Sequence, residues 1–203
     1  MSEARVRLSA DERRAALLAT ALRAFSAGTY RGTTTAEIAR AAGVTEPILY
    51  RHFESKQHLY LACLDDAWRL ARTLWEDAIA SEDDPADWLP AMGRAFHESR
   101  EHKIALSNLW VQALAEASED PIIRRYMRGY VRTIHEYVAG VVRRAQEAGG
   151  VLPDREPRVE AWIFIGTGLL AAFGVRLGGL IENDLDEIRA ARREWLTGRR
   201  VGS

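Results

Sequence analysis

Apolar residues recur at spacings of three and four along almost the whole chain. Leu18, Ala21, Leu22 and Phe25 fall at i, i+3, i+4 and i+7, one face of a helix. Leu61, Leu64, Trp68, Ala71, Trp75 and Ala78 form a second, longer seam of the same kind. No run alternating with period two is long enough for a sheet. Helix starts are written in as well. Ser9 with Glu12, and Thr34 with Glu37, form capping boxes, in which each side chain answers an otherwise orphan backbone N–H. Thr45 and Ser55 can cap two further helices, and Pro47 is tolerated in a first turn because N–H groups there have no intrahelical partner. Gly28, Gly43 and the Gly149–Gly150 pair are stops. Ser81 to Pro85 reads as a linker. Helical patterns resume at about 86–101, 103–117, 121–148, 156–180 and 185–197. The expected fold is all-α, with about nine helices.

Composition narrows the classes further. With 203 residues, 47% hydrophobic and 28% charged, wholesale disorder is excluded. The single cysteine, Cys63, excludes an intrachain disulfide and a cysteine-based zinc finger. The chain opens with charge and no apolar h-region, so no secretory signal is expected. The uncharged stretch from Ala161 to Val175 is 15 residues long, where a membrane span needs about 20. A reducing cytoplasm is the expected compartment. The net charge of −1 argues against nucleic acid until the chain is split. Residues 1–60 carry nine Lys and Arg against six Asp and Glu, a balance of +3, and the remainder is at −4.

The informative stretch is residues 33–59. Its first short helix turns Ile38, Ala39 and Ala42 inward, and Ala39 is small enough for a second helix to cross closely. Gly43 can take the positive φ that a tight turn needs. Val44, Leu49 and Phe53 supply the inner face of the next helix. Thr45, Glu46, Ile48, Arg51 and His52 are left on the outer face, with groups of the right length for base edges in a major groove. This is helix-turn-helix chemistry.

The stretch resembles the DNA-binding domain of the TetR family of bacterial transcriptional regulators. The matching residues are Thr34, Ile38-Ala39, Ala42-Gly43-Val44, Leu49-Tyr50, Phe53, Lys56 and Leu59, with Phe25 and Tyr30 upstream. The close match covers residues 12–60. One departure is visible: the family usually has Gly just before the aromatic at Tyr30, and here Gly28 comes one residue earlier. The resemblance implies a DNA-binding domain over 1–54 and an effector-binding and dimerisation domain over 55–203. It also implies a homodimeric repressor that binds a pseudo-palindromic operator and is released by a small lipophilic or aromatic ligand.

Site roles follow from the resemblance with the chemistry beside them. Thr45, Glu46, Pro47 and Ile48 open the recognition helix, where family members meet bases. Glu46 can accept from cytosine N4 or favour the helix N-terminus, and the second is preferred. Tyr50 resembles the family tyrosine whose hydroxyl meets phosphate. Arg51 and His52 can reach base edges or phosphate. Lys56, at the start of the fourth helix, resembles the family lysine on phosphate. Thr34, Thr35 and Ala36 face the DNA backbone. Arg5 and Arg7 can lie on an arm that touches phosphate or minor groove.

The last two long helices are implied as the dimer interface, through Trp162, Ile165, Leu169, Leu170 and Phe173. Candidate effector-lining residues are Trp68, Trp75, Trp88, Met92, Phe96, Trp110, Gln112, Met127 and Tyr130, with His97 and His102 as polar anchors. Aromatic residues at helical spacing also build ordinary cores. No cofactor or metal is implied: His97 and His102 are five apart, not the i, i+4 pair of a zinc site. Two other readings stay open. One is a helical DNA binder with no effector. The other is an enzyme, prompted by Gly166-Thr-Gly168-Leu-Leu-Ala171, which fits a dinucleotide fingerprint but lacks the strand and turn such a fingerprint needs.

Overall fold

The computed structural model describes residues 9–98 and 100–199, and side chains outside 96–107. Arg5 and Arg7, and the side chains of Phe96, His97 and His102, lie outside the described residues. Among the described residues nine α-helices follow one another: α1 (Ala10–Ala27), α2 (Thr35–Ala41), α3 (Glu46–His52), α4 (Lys56–Ala80), α5 (Trp88–Glu98), α6 (Arg100–Glu119), α7 (Pro121–Glu147), α8 (Pro157–Arg176) and α9 (Leu185–Thr197). A short 3-10 turn, Pro85–Asp87, precedes α5. No strand occurs among the described residues. The chain divides into two compact units, 1–68 and 69–203. The division falls inside α4, 14 residues past the boundary expected at 54, so one helix belongs to both units.

In the first unit, α1 starts on the Ser9–Glu12 capping box and α2 on the Thr34–Glu37 box, both fully formed. Thr45 stands at the N-cap of α3, but its side chain makes no capping bond. The Thr45 carbonyl instead accepts from Ile48 and Leu49 N–H. Ser55 Oγ accepts from His58 N–H at the head of α4. Leu17, Leu18, Ala21 and Phe25 of α1 are buried with Ile38, Ala39, Leu49, Phe53, Leu59, Tyr60 and Leu64. Phe25 meets Tyr60 edge to face at 5.1 Å, and Tyr30 lies 4.7 Å from Tyr60. Each fully buried leucine contributes about 1.5–3 kcal/mol. The Cys63 thiol is in the same core, and burial pushes its pKa up, so the thiol form is held.

In the second unit, α7 is the central helix, packed on α6 and α8. Asp120 caps it, accepting from Ile122 and Ile123 N–H. Gly150 closes the joint after α7 because a Cβ there would meet Pro85 and Ala86 backbone at 2.4 Å. The helix expected over 156–180 stops at Arg176. The chain then turns on Gly178 and Gly179, both at positive φ, and Ile181 folds back over Gly174. Among the described residues, α8 is long and apolar enough to cross a membrane by length and composition. The uncharged stretch understated it, because the helix runs 20 residues with its charged ends. Its own unit uses one side of it: Glu160 is buried, ion-paired with Arg192 and bonded by Trp195 Nε1 at 3.0 Å. Gly166 and Gly168 lie mid-helix, so the fingerprint-like run makes no phosphate-binding turn.

The α2–α3 turn depends on one residue. Gly43 has φ +68°, and nothing lies within 4 Å of a Cβ placed there. Gly43→Ala is therefore expected to destabilise the first unit through backbone strain alone, by about 1–2 kcal/mol. Gly43→Asn is expected to lose less, since asparagine tolerates this region. Denaturant unfolding of both variants measures the difference.

Candidate nucleic-acid interface

The Thr34–Glu37 box sets the edge of the site. Glu37 Oε2 accepts from Thr34 N–H and from its hydroxyl, both at 2.9 Å. These bonds, more than the nearby Arg40 and Lys56 charges, hold the Glu37 carboxyl below its ordinary pKa. Thr34 and Ala36 are exposed. Thr35 is not: it is 8% exposed and its hydroxyl is spent inside the domain. Thr35 Oγ1 lies 2.5 Å from Glu46 Oε1 and 3.1 Å from Tyr50 Oη.

Proton counting orients this network. An ionised carboxylate only accepts, so Thr35 donates its single hydroxyl proton to Glu46. Tyr50 must then donate to Thr35. One hydroxyl of α2 thus holds two residues of α3 that are four apart and share a helix face. Glu46 is half-buried, and its second oxygen accepts no hydrogen bond among the described residues. Leu49 and Phe53 are buried beneath, and Arg14 covers the Phe53 ring at 4.8 Å.

On the outer side, Thr45, Pro47, Tyr50 and Arg51 are exposed, while Ile48 and His52 are half-buried. Tyr50 keeps 44% of its surface. Arg51 makes no ion pair among the described residues. Lys56 is positioned: its Nζ donates to the Arg31 carbonyl at 3.3 Å and sits 4.8 Å above the Tyr30 ring. Tyr30 and Arg31 thus hold Lys56, and the Tyr30 match is the one sequence signal of it. The expected list therefore splits. Thr45, Pro47, Tyr50, Arg51, Thr34 and Ala36 share an exposed margin, and the buried Thr35 with the half-buried Glu46 joins α2 to α3.

Residues 17–63 match the family model for bacterial regulatory proteins of the tetR family. Residues 85–167 match the BetI-type transcriptional repressor C-terminal model. The chain belongs to the TetR family of bacterial regulators. It is a transcriptional regulator with a helix-turn-helix DNA-binding domain, and not an enzyme. Among relatives of the TetR-family chain, the transcriptional activator FasR of Mycolicibacterium smegmatis is 36% identical over 110 residues, covering 52% of this chain. The match spans half the length of FasR. A TetR-family regulator from Rhodococcus sp. has the same fold, with a TM-score of 0.83, 20% identity, and 92% of this chain and 99% of its own covered. So has a transcriptional regulator from Saccharomonospora viridis solved in complex with choline, with a TM-score of 0.73, 21% identity, and 88% and 92% covered.

The second unit of this TetR-family chain holds most of the other candidates. Trp75 is buried, stacked on Tyr137 at 5.9 Å and edge-on to Phe164 at 5.6 Å. Arg72 lies 5.6 Å from the Tyr137 ring centre. Trp110 contacts Tyr130 at 6.1 Å. Met92, Gln112, Met127 and Tyr130 are buried, and Trp88 and Trp110 are half-buried. Trp68 is half-buried and belongs to the first unit. Of the residues expected on a dimer face, Trp162, Leu170 and Phe173 are 46–50% exposed. Leu169 is half-buried, and Ile165 is buried in the unit's own core. Ile163, of the same apolar run, is exposed too, and Val159 and Leu177, which the sequence reading does not name, extend the stripe.

Proposed function

We propose that the protein is a homodimeric, ligand-responsive repressor acting in the cytoplasm. The observation that carries the DNA half is the exposed margin of α3, with Thr45, Pro47, Tyr50 and Arg51 outward and Lys56 fixed beside it. Thr45, Pro47, Ile48, Arg51 and His52 enter the major groove, where helix-turn-helix proteins read bases. Thr34, Ala36, Tyr50 and Lys56 meet phosphate. Tyr50 reaches a phosphate oxygen by turning its O–H away from Thr35, since that proton is directed inward in the free protein. Two copies read two half-sites about 34–36 Å apart or a multiple of it.

The α8 stripe supports the dimer. Val159, Trp162, Ile163, Leu170, Phe173 and Leu177 recur at helical spacing and are all exposed. A contiguous apolar stripe of this kind marks an interaction surface. A second copy meeting it two-fold would bury each stripe against its twin.

The ligand half rests on α4. Its first part is core in one unit, and its later residue Trp75 packs on α7 and α8 in the other. A ligand that displaces rings around Trp75, Trp110, Met127 or Tyr130 would shift α4 and with it the recognition helices. It must bind the DNA-incompetent state more tightly, because equal affinity shifts nothing. The matching C-terminal model is described as a repressor's, while FasR is an activator, so activation is the second reading.

Three outcomes test this. Lys56→Ala is expected to weaken binding to all DNA sequences alike and to reduce the slope of log affinity against log salt by about 1 per half-site. An unchanged slope removes Lys56 from the phosphate contacts. Phe173→Glu on α8 is expected to give folded monomers in sedimentation and to lose operator binding; a dimer that persists places the interface elsewhere. Tryptophan fluorescence is expected to respond to flat or greasy compounds, with the same compounds lowering operator affinity. Choline belongs in the panel because the Saccharomonospora regulator holds it. A panel with no effect on operator affinity favours the effector-free reading.

A further inference from the structure

We infer that Glu46 is a specificity-determining residue that selects cytosine at one position of each operator half-site, with Thr35 as its positioning residue. This rests on the DNA-reading function proposed above. The starting point is where the Glu46 carboxylate goes. A glutamate in the first turn of a helix ordinarily serves its own helix, through the dipole or a bond to an orphan N–H. Among the described residues Glu46 makes no bond to an N–H of its own helix. The Ile48 and Leu49 N–H groups are taken by the Thr45 carbonyl, and Glu46 Oε1 is held by the hydroxyl of Thr35 on α2.

That bond fixes the side chain before any DNA arrives. Thr35 is 8% exposed and cannot follow solvent, so it is a rigid anchor. Pinning Oε1 leaves Oε2 as an acceptor in a defined place, on a residue whose neighbours Thr45 and Pro47 are exposed. Preorganisation of this kind removes most of the ordering cost that a free glutamate would bear on binding. The anchor also survives contact with phosphate elsewhere: if Tyr50 turns its O–H outward, Thr35 still donates to Glu46.

The chemistry of the bases then decides the preference. A carboxylate is an acceptor only, so it needs an amino group. Guanine shows two acceptors in the major groove, N7 and O6, and repels it. Thymine shows O4 and a methyl group. Adenine has the N6 amino group but sets the N7 acceptor beside it. Cytosine has the N4 amino group with no acceptor alongside in the groove. A phosphate oxygen is excluded by like charge. Cytosine is the base that a single pinned carboxylate oxygen matches.

The test uses the full-length protein. Random-sequence selection is run on the wild type, Glu46→Gln and Glu46→Ala, with thermal unfolding to confirm folding. The wild type is expected to select cytosine at one column of each half-site by roughly tenfold. Glu46→Gln, which keeps an acceptor for Thr35, is expected to move that column towards adenine, whose N6 and N7 suit an amide. Every other column should stay. The pairing is then isolated on the selected site by replacing the cytosine with 2-pyrimidinone, which lacks the amino group. Wild-type affinity is expected to fall about tenfold, and Glu46→Ala affinity to be unmoved. If the variants weaken all sequences alike and keep the same base at every column, Glu46 is only a clamp and the inference fails. The same conclusion follows if loss of the amino group weakens wild type and Glu46→Ala equally. If the wild type selects no sequence at all, the DNA-reading function itself fails along with it.

Discussion

Helix α4 is the constraint on which the rest of the molecule depends. Its 25 residues run from Lys56 to Ala80 without a break. Leu59, Tyr60, Cys63 and Leu64 complete the core under the recognition helix. Ala71 and Trp75 are buried in the other unit. Two helices of seven residues, α2 and α3, are far too short to be stable alone in water. They hold their angle because α1 and the first half of α4 bury their inner faces. The same continuous backbone then enters a second core. The helix thus contributes buried residues to two cores through one unbroken backbone.

The reading head was legible in sequence because its determinants are local. Capping boxes, a glycine turn and 3–4 spacing act within a few residues, so Ser9–Glu12, Thr34–Glu37 and Gly43 could be placed directly. Ile38, Ala39, Leu49 and Phe53 are buried as their spacing requires. What the sequence could not show was the direction of a side chain between helices. Thr35 and Glu46 are 11 residues apart, and nothing local says that one hydroxyl will take the carboxylate. Thr45 has the residue type of a side-chain cap, yet its hydroxyl makes no capping bond. Both differences come from α2 and α3 crossing, a tertiary event.

The second unit was less legible, and for a physical reason. Helical spacing marks an apolar face but not what covers it. On α8 the same pattern contains Ile165, which its own unit buries, and Trp162, Leu170 and Phe173, which it leaves exposed. Periodicity gave the helix; only packing separates the two sides. The end of α8 differs from the pattern for the same reason. The pattern ran on to residue 180, whereas Gly178 and Gly179 reverse the chain so that Ile181 packs over Gly174. The uncharged run hid the length of α8 because Glu160 is buried with Arg192 and Trp195 rather than exposed at a helix end.

Charge ties these observations to function. A near-neutral chain binds DNA poorly by bulk attraction, since affinity of that kind scales with phosphates neutralised. The excess of +3 over residues 1–60 is small, and a carboxylate at the front of the recognition helix works against it. Such a carboxylate lowers affinity for every sequence through phosphate repulsion. It recovers that loss only where a base offers an amino group. The repulsion is common to right and wrong sites and cancels between them, so discrimination comes from the base contact while the overall grip on DNA falls. Positive charge that is fixed in place, as on Lys56 over Tyr30, then matters more than charge that is merely abundant. A weakly basic head has little non-specific grip, and what the domain shows instead is polar groups fixed in place: Glu46 held by the buried Thr35 hydroxyl, and Lys56 by the Arg31 carbonyl and the Tyr30 ring.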